Sequence, residues 1–450
     1  MSLRSTIFWA KNALFRRRAM SIFSQALENE SKSADELAEI NWNKRKQIVY
    51  DAYENSPFYR DFYGEKGVFP NDLKHPDDWS QLPVLEKKHI RRYRDRILCR
   101  GVVEHDRITT TTGGSTGLPM LTYRDARFPE EIIKWRMLRR WNQSPAENWL
   151  MLWRMPGHAA SPRSKIFNTL LWWPTRRYKF DVSSITPASL FDMERILLKK
   201  KPGIVWGYVG ALQELADHLL SRKTNLDYSP LVWATASPMS RAQLEKFKRI
   251  FGPNILDQYA CSEIHWVASN EPDSRELIVD SDYRHVDIVD SENSLRETPR
   301  TGDILLTDLE NRVFPLVRYR NGDRARLLPE RTPMSRAFPR LSPVQGRISD
   351  SIRTASGAVI PGEYLTTVFD DYYHHVDQFL IVQRKDYALN IAVRPSDRGI
   401  ANPRELNSII ERVMDRLVEK IGETVEIHFE VVNELPHENG KVKFIRSELR

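Results

Sequence analysis

The stretch Gly203–Pro238, GIVWGYVGALQELADHLLSRKTNLDYSPLVWATASP, decides the fold. Gly203–Trp206 and Leu231–Ala234 read as short buried strands, and Gly210–Ser221 between them reads as a helix. The same alternation continues outward. Trp149–Trp153 and Asn254–Leu256 are further candidate strands, and Ala188–Lys200 and Ser240–Phe251 are further helices. In the last of these Leu244, Phe247 and Ile250 share one side, and Gly252-Pro253 ends the pattern. Strand–helix alternation of this kind predicts an α/β layered fold with a largely parallel sheet.

The flanks read differently. Residues 34–66 are helical, with Leu37, Ile40, Ile48 and Tyr53 on apolar faces until Pro57 interrupts them. After Tyr283 short strands follow, such as His285–Val289 and Asp303–Leu306. A proline-dotted stretch, Pro329 to Pro343, then leads to Gly346-Arg347. The last hundred residues predict an α+β unit. Gln378–Val382 and Ala388–Val393 form a strand pair there. A helix then opens with Asn402 as N-cap, Pro403 at its first position and Glu405 as capping-box partner. Leu406, Ile409, Val413, Leu417 and Ile421 form its buried stripe, and Val425–Val431 alternates as a final strand. The expected architecture is thus a large multi-layer α/β domain (31–345), a hinge (346–350) and a small α+β domain (351–450), preceded by a basic segment (1–30).

Composition excludes several classes. Among 450 residues, 41% are hydrophobic and 28% charged, the balance of a protein with sizeable cores. The mean hydropathy is −0.52, and no apolar run approaches the ~18 residues of a membrane span. Two cysteines, Cys99 and Cys261, cannot make a disulfide scaffold or a four-cysteine zinc site, which favours a reducing compartment such as the cytoplasm. The net charge of +8 is concentrated at the start, where Arg4, Lys11, Arg16, Arg17 and Arg18 stand with no acid in residues 1–20. The remainder is too evenly charged for a nucleic-acid groove. Leu3, Ile7, Ala10 and Leu14 share one helical face, with Phe8 and Phe15 beside it. Two readings stand: a helix lying on the anionic inner face of a membrane, or a first helix docked on the protein body.

Thr109–Pro119, TTTTGGSTGLP, offers six hydroxyls and three glycines in eleven residues. Glycines let backbone N–H groups converge on an anion and hydroxyls add donors, so the loop suits phosphates. It is not a Walker A loop, and no G-x-G-x-x-G opens a helix. Gly113–Gly117 also fits the G-x-S-x-G elbow that exposes a nucleophilic serine, here Ser115, in acyl hydrolases. A plain structural loop is the third reading.

Further motifs follow in a fixed order. Thr112–Pro119 resembles the T-S-G-S-T-G-x-P phosphate loop of the adenylate-forming enzymes. Tyr259–Glu263 resembles their Y-G-x-T-E, Tyr319–Asp323 their Y-R-x-G-D, Gly346–Asp350 their G-R-x-x-D hinge, and Asn439–Lys443 their terminal G-K segment. Within that superfamily Ser56–Arg60, Leu82–Leu85, Leu309–Arg312 and Pro315–Tyr319 are most similar to the phenylacetate–CoA ligase and CapK-like capsule-biosynthesis branch.

The resemblance implies ATP-dependent carboxylate activation with CoA as the default acceptor. It implies that Thr112, Gly113, Gly114, Ser115, Thr116 and Gly117 hold the β- and γ-phosphates. Ala236, Ser237, Pro238 and Tyr259 would line the adenine, with Ser262 beside them. Asp323 would bind the ribose, Arg347 the ribose or phosphate, and Asp350 would be the pivot. Glu263 would bind Mg²⁺ and Lys441 would be the catalytic lysine, with Lys443 its neighbour. Leu118 stands where many relatives have lysine, and Ala260 where they have glycine. His158, Trp206, Tyr208 and Val209 are candidates for the acyl pocket. Two rival readings stand beside it: a serine acyl hydrolase built on Ser115, and a non-catalytic assembly protein held at a membrane by residues 1–18.

Overall fold

The computed structural model describes residues 2–111, 120–153, 172–237, 239, 241–290, 293–295, 301–329, 337–344, 352–360, 365, 368–369, 372, 375–433, 435 and 445–449. They fall into two units. The first comprises Met1–Thr111, Leu121–Ala146 and Leu256–Gly346; the second comprises Thr112–Met120, Glu147–Ile255 and Arg347–Arg450.

The second unit holds the parallel sheet. Its strands lie in the order Leu231–Thr235, Ile204–Tyr208, Trp149–Trp153, Arg177–Asp181, all parallel. Period-two alternation sends Leu150, Leu152, Val205, Val232 and Ala234 to one face, where they pack with Leu197, Leu212, Leu215, Leu244 and Phe247. Those residues come from the helices Pro187–Lys200, Val209–Ser221 and Arg241–Phe251. The helix–strand alternation of Gly203–Pro238 is therefore observed, with its two strands ending two residues and one residue beyond their expected ends.

In the C-terminal part of this unit the strands Ile427–Val431, Leu389–Pro395, Val376–Gln383 and Ile445–Ser447 form a four-stranded sheet in that order. The helix Pro403–Ile421 lays Leu406, Ile409, Val413, Leu417 and Ile421 against Phe379 and Ile391, as the stripe predicts. Gly422, at φ 74°, ends it in the left-handed conformation that glycine takes without strain. Two details differ from expectation. Asn402 occupies the N-cap but makes no side-chain cap bond. Its Nδ2 donates instead to the Arg398 carbonyl at 3.1 Å, a bond supplied by the short helix Asp397–Ala401, while Glu405 lies 3.1 Å from His375 Nε2. And Val425–Val431 is not the last strand, because Ile445–Ser447 adds to the sheet edge in parallel with Val376–Gln383. Three residues are too few to show a period.

The first unit is built from antiparallel strands and the N-terminal helices. Arg284–Val289, Gly302–Asp308 and Tyr319–Ala325 form a three-stranded sheet. The second helix, Arg17–Glu28, packs beside Glu131–Arg140. Beneath them is a buried ion cluster. Arg136 donates to both carboxylate oxygens of Asp282 at 2.7 Å and to Asp280 at 2.6 Å. Arg140 bridges Asp280 and Glu30, both at 2.7 Å. Asn29 donates to Asp282 at 2.8 Å.

The helix Leu3–Phe15 docks on this unit, but through Ser5, Phe8 and Asn12 rather than its apolar stripe. Trp9 stacks on Phe23 at 5.3 Å, and Phe8, Trp9 and Phe23 all meet Trp135 edge-on. Asn12 satisfies its amide by donating to the Phe8 carbonyl at 2.9 Å. Aromatic geometry has outweighed aliphatic periodicity here, because three rings on neighbouring helices interlock with Trp135.

Candidate active site

The strand Ile255–Tyr259 and the strand Tyr319–Ala325 supply the side chains of the site in the first unit. The latter strand is irregular. Asp303 pairs with Arg324 but Leu305 with Arg320, so the extra residues bulge out of the ladder. Gly322 sits in that bulge at φ 94°, a conformation costly for other residues. The bulge re-aims Asn321 and Asp323.

Their contacts are short. Asn321 Nδ2 donates to the Tyr259 hydroxyl at 2.6 Å and to Asp323 Oδ2 at 2.7 Å. The Tyr259 hydroxyl donates to Asp323 Oδ2 at 3.2 Å, and the Asp323 backbone N–H to Asn321 Oδ1 at 3.0 Å. Beside this triangle the Tyr319 hydroxyl donates to Glu263 Oε1 at 2.6 Å, with both side chains buried. Burial first, then the neighbouring carboxylates Asp323 and Glu263, push the Tyr259 and Tyr319 phenols well above their ordinary range. Both therefore stay protonated near neutral pH and act as donors. Burial and then Glu263 also push the Cys261 thiol up, which makes it a poor nucleophile.

The structure thus brings Tyr259 to Asp323, and Glu263 to a partner that sequence reasoning passed over. Tyr319 and Asn321 stand inside the Tyr319–Asp323 motif, yet nothing in one sequence says which of its residues faces which. Ser262 lies half-buried between Tyr259 and Glu263. In the second unit, Ala236 follows the strand Leu231–Thr235 at φ 76°, a left-handed backbone unusual for alanine and of the kind stored at binding loops. Ser237 is next to it. Trp206 and Tyr208 lie on the sheet face opposite the helices, where both contact Trp153, at 4.6 and 4.5 Å between ring centres. Val209 is buried in the helix-side core. Thr112, Gly113, Gly114, Ser115, Thr116, Gly117, His158, Pro238, Arg347, Asp350 and Lys441 lie outside the described residues.

Residues 352–448 match the family described as the CapK C-terminal domain. The phenylacetate-coenzyme A ligase of Escherichia coli (strain K12) is 21% identical over 439 residues, covering 92% of this chain and 95% of that protein. The enzyme of the same name from Thermus thermophilus is also 21% identical, with 92% and 97% covered.

The chain is thus similar over nearly its whole length to phenylacetate–CoA ligases of the adenylate-forming superfamily, and its C-terminal part matches the CapK family.

Solved structures of 2-hydroxyisobutyryl-CoA ligase share the fold of this chain. One, in complex with 2-HIB-AMP and CoA in the thioesterification state, has a TM-score of 0.61 at 18% identity, covering 93% of this chain and 91% of that one. Another, in the postadenylation state, has a TM-score of 0.59 with the same coverage. The combination of a large multi-sheet region and a smaller C-terminal α+β region is the fold expected for this superfamily.

Proposed function

We propose that this chain condenses a carboxylate with ATP and then passes the acyl group to CoA. In the first step a carboxylate oxygen attacks the α-phosphorus, the bond to the bridging oxygen breaks, and pyrophosphate leaves. In the second the CoA thiolate attacks the acyl carbonyl and AMP leaves. The observation that carries this reading is the buried pairing of Tyr319 with Glu263 beside the Tyr259–Asn321–Asp323 triangle.

Each residue has a definite task in that chemistry. Asn321 and Tyr259 hold Asp323 Oδ2, so that the carboxylate is fixed for accepting the ribose hydroxyls. The Tyr259 ring is oriented by its own hydroxyl contacts and offers a face to the adenine. Tyr319 occupies one oxygen of Glu263 and orients the carboxylate. A single carboxylate suits Mg²⁺, whose remaining positions go to water and phosphate oxygens, and the ion would neutralise charge on the triphosphate. Thr112–Gly117 would donate to the β- and γ-phosphates. Arg347 and Lys441 would meet the α-phosphate, with residues 351–450 moving about Asp350. The reaction would run in the cytoplasm, and the resemblance to the CapK-like branch points to an acyl group destined for a polysaccharide or its precursor.

The test uses protein, Mg·ATP, a pooled carboxylate library and hydroxylamine, with hydroxamates and AMP read by mass spectrometry. Hydroxylamine traps an acyl-adenylate whatever the natural acceptor. Hydroxamate with matching AMP is expected, lost by about 10²–10³-fold in Glu263→Gln. Lys441→Ala should abolish AMP formation while ATP still binds. Absence of ATP binding by the unaltered protein would overturn the reading, and labelling of Ser115 by a fluorophosphonate would replace it with a hydrolase.

A further inference from the structure

The helix Leu3–Phe15 buries a face that leaves its aliphatic residues outside except for Ile7, which is half-buried. Leu3 is 78% exposed, Leu14 61% and Phe15 76%, with Ala10 also exposed between them. The burial already described comes from Ser5, Phe8 and Asn12, so this ridge is not needed to hold the helix. Its flanks are basic. Arg4 and Lys11 lie on the helix, and Arg16, Arg17 and Arg18 follow it directly.

The second observation lies at the junction of the two helices. The helix Arg17–Glu28 starts with Arg17 and Arg18 in a first turn that has no acid, and its N-cap, Arg16, makes no side-chain cap bond. Cations at a helix N-terminus oppose the backbone dipole, and the first-turn N–H groups require outside acceptors. The end opens on a pocket of about 560 Å³ lined by Phe15, Arg16, Arg17, Arg18, Arg124 and Arg127. The facing acids are already engaged. Glu131 pairs with Arg16, Glu130 with Arg124 and Arg284, and Asp125 with Arg127. His265 lines the same wall, held neutral by burial and by Arg124 and Arg284. Among the described residues Arg17 and Arg18 have no ion pair, and both are exposed. An arrangement unfavourable for the isolated helix becomes favourable when phosphates occupy it.

We propose that residues 3–18 form a docking surface for an anionic lipid bilayer. Leu3, Leu14 and Phe15 enter the interface, and Arg17 and Arg18 meet lipid phosphates at the pocket mouth. An apolar ridge and a cationic seat in one helix–helix unit match the layered chemistry of a bilayer surface, apolar beneath phosphate. Nucleic acid offers no such apolar layer. The docked and membrane-facing readings of this segment are then compatible, since opposite faces of one helix serve them. This inference does not depend on the catalytic reading.

The experiment is co-sedimentation of the full chain with vesicles of phosphatidylcholine alone, or mixed equally with phosphatidylglycerol. Binding is expected to the mixed vesicles only, and to be lost between about 0.1 M and about 1 M salt as the screening length falls from ~10 to ~3 Å. Arg17→Glu with Arg18→Glu should weaken partitioning by about twentyfold or more, and Arg17→Lys with Arg18→Lys should largely keep it. Leu14→Asn with Phe15→Asn should weaken it about tenfold at low salt. Unchanged thermal midpoints establish that these exposed variants are folded. No binding to mixed vesicles, equal binding to phosphatidylcholine, or binding indifferent to the two glutamates would each overturn the proposal, including a case where the segment captures an acidic protein instead.

Discussion

Two amphipathic helices, Leu3–Phe15 and Pro403–Ile421, invite the same reading and meet opposite fates. Each carries aliphatic residues at helical spacing on one face. In the C-terminal helix Leu406, Ile409, Val413, Leu417 and Ile421 all reach the core, because a four-stranded sheet offers an apolar surface matched to the stripe. In the N-terminal helix Leu3, Ala10 and Leu14 of the stripe stay outside, while Phe8 and Trp9 lock onto Phe23 and Trp135. Periodicity identifies an apolar face. It does not identify the partner, and where aromatic residues lie off that face a neighbouring ring cluster can claim the helix instead.

The sharpest way to break this comparison is a charge on each stripe. Val413→Asp places a carboxylate in an apolar cluster with no cationic partner among the described residues and should cost about 3–5 kcal/mol, or prevent the C-terminal part from folding. Leu14→Asp should change stability by less than about 0.5 kcal/mol. Urea denaturation measures both, and similar losses would mean that the N-terminal stripe is buried after all.

A second contrast separates the buried arginines beneath the N-terminal helices from the exposed ones at their junction. Arg136→Ala strands Asp282 without its arginine, leaves Asp280 with Arg140 alone, and should also cost about 3–5 kcal/mol. Arg17→Ala should cost almost nothing in thermal unfolding. A small effect at Arg136 would show that the N-terminal helices are held by their rings alone.

His265, in the pocket beside that junction, gives a pH signature. Burial first, and then the guanidiniums of Arg124 and Arg284, push its imidazole down to about 3, although Glu130 lies 3.7 Å away. The unfolded chain takes up this proton near 6.5 and the folded chain does not, so stability falls as pH drops from about 6.5 toward 3. The contribution is fully present above pH 7. With 32% of the side chain exposed, solvent screening limits the effect to about 1 kcal/mol. His265→Gln should flatten the slope in that window. An unchanged slope would place the titration elsewhere.

The smallest effects come from the helix starts. Ser33 and Glu36 form a reciprocal capping box, with 3.2 and 2.9 Å bonds, so Ser33→Ala should cost about 1 kcal/mol. Asn402 makes no cap bond with its side chain, and Asn402→Ala should cost less than about 0.5 kcal/mol in thermal unfolding.

Much of this architecture was legible locally. Short strands such as Trp149–Trp153 announce themselves as continuous apolar runs because both faces are buried, and helices such as Pro187–Lys200 because one-sided burial imposes a period of 3.6 on neighbouring residues. Tyr259, Glu263 and Asp323 were legible through ordered motifs. What neighbouring residues could not reveal was pairing across the chain. Tyr319 orients Glu263 from 56 positions away, and Asn321 reaches Tyr259 only because a bulge at Gly322 turns its side chain. The strand Ile445–Ser447 was invisible for a similar reason, since its place is set by the edge it joins.

By itself, then, the amino-acid order determined the element types, the C-terminal stripe and the identity of the residues offered to a nucleotide. Tertiary structure decided which face of the first helix is spent on packing, which hydroxyl orients which carboxylate, and where cations are left without acids. The physical reason is range: propensity and periodicity act over a few residues, whereas burial and charge pairing depend on what other segments bring to the same place.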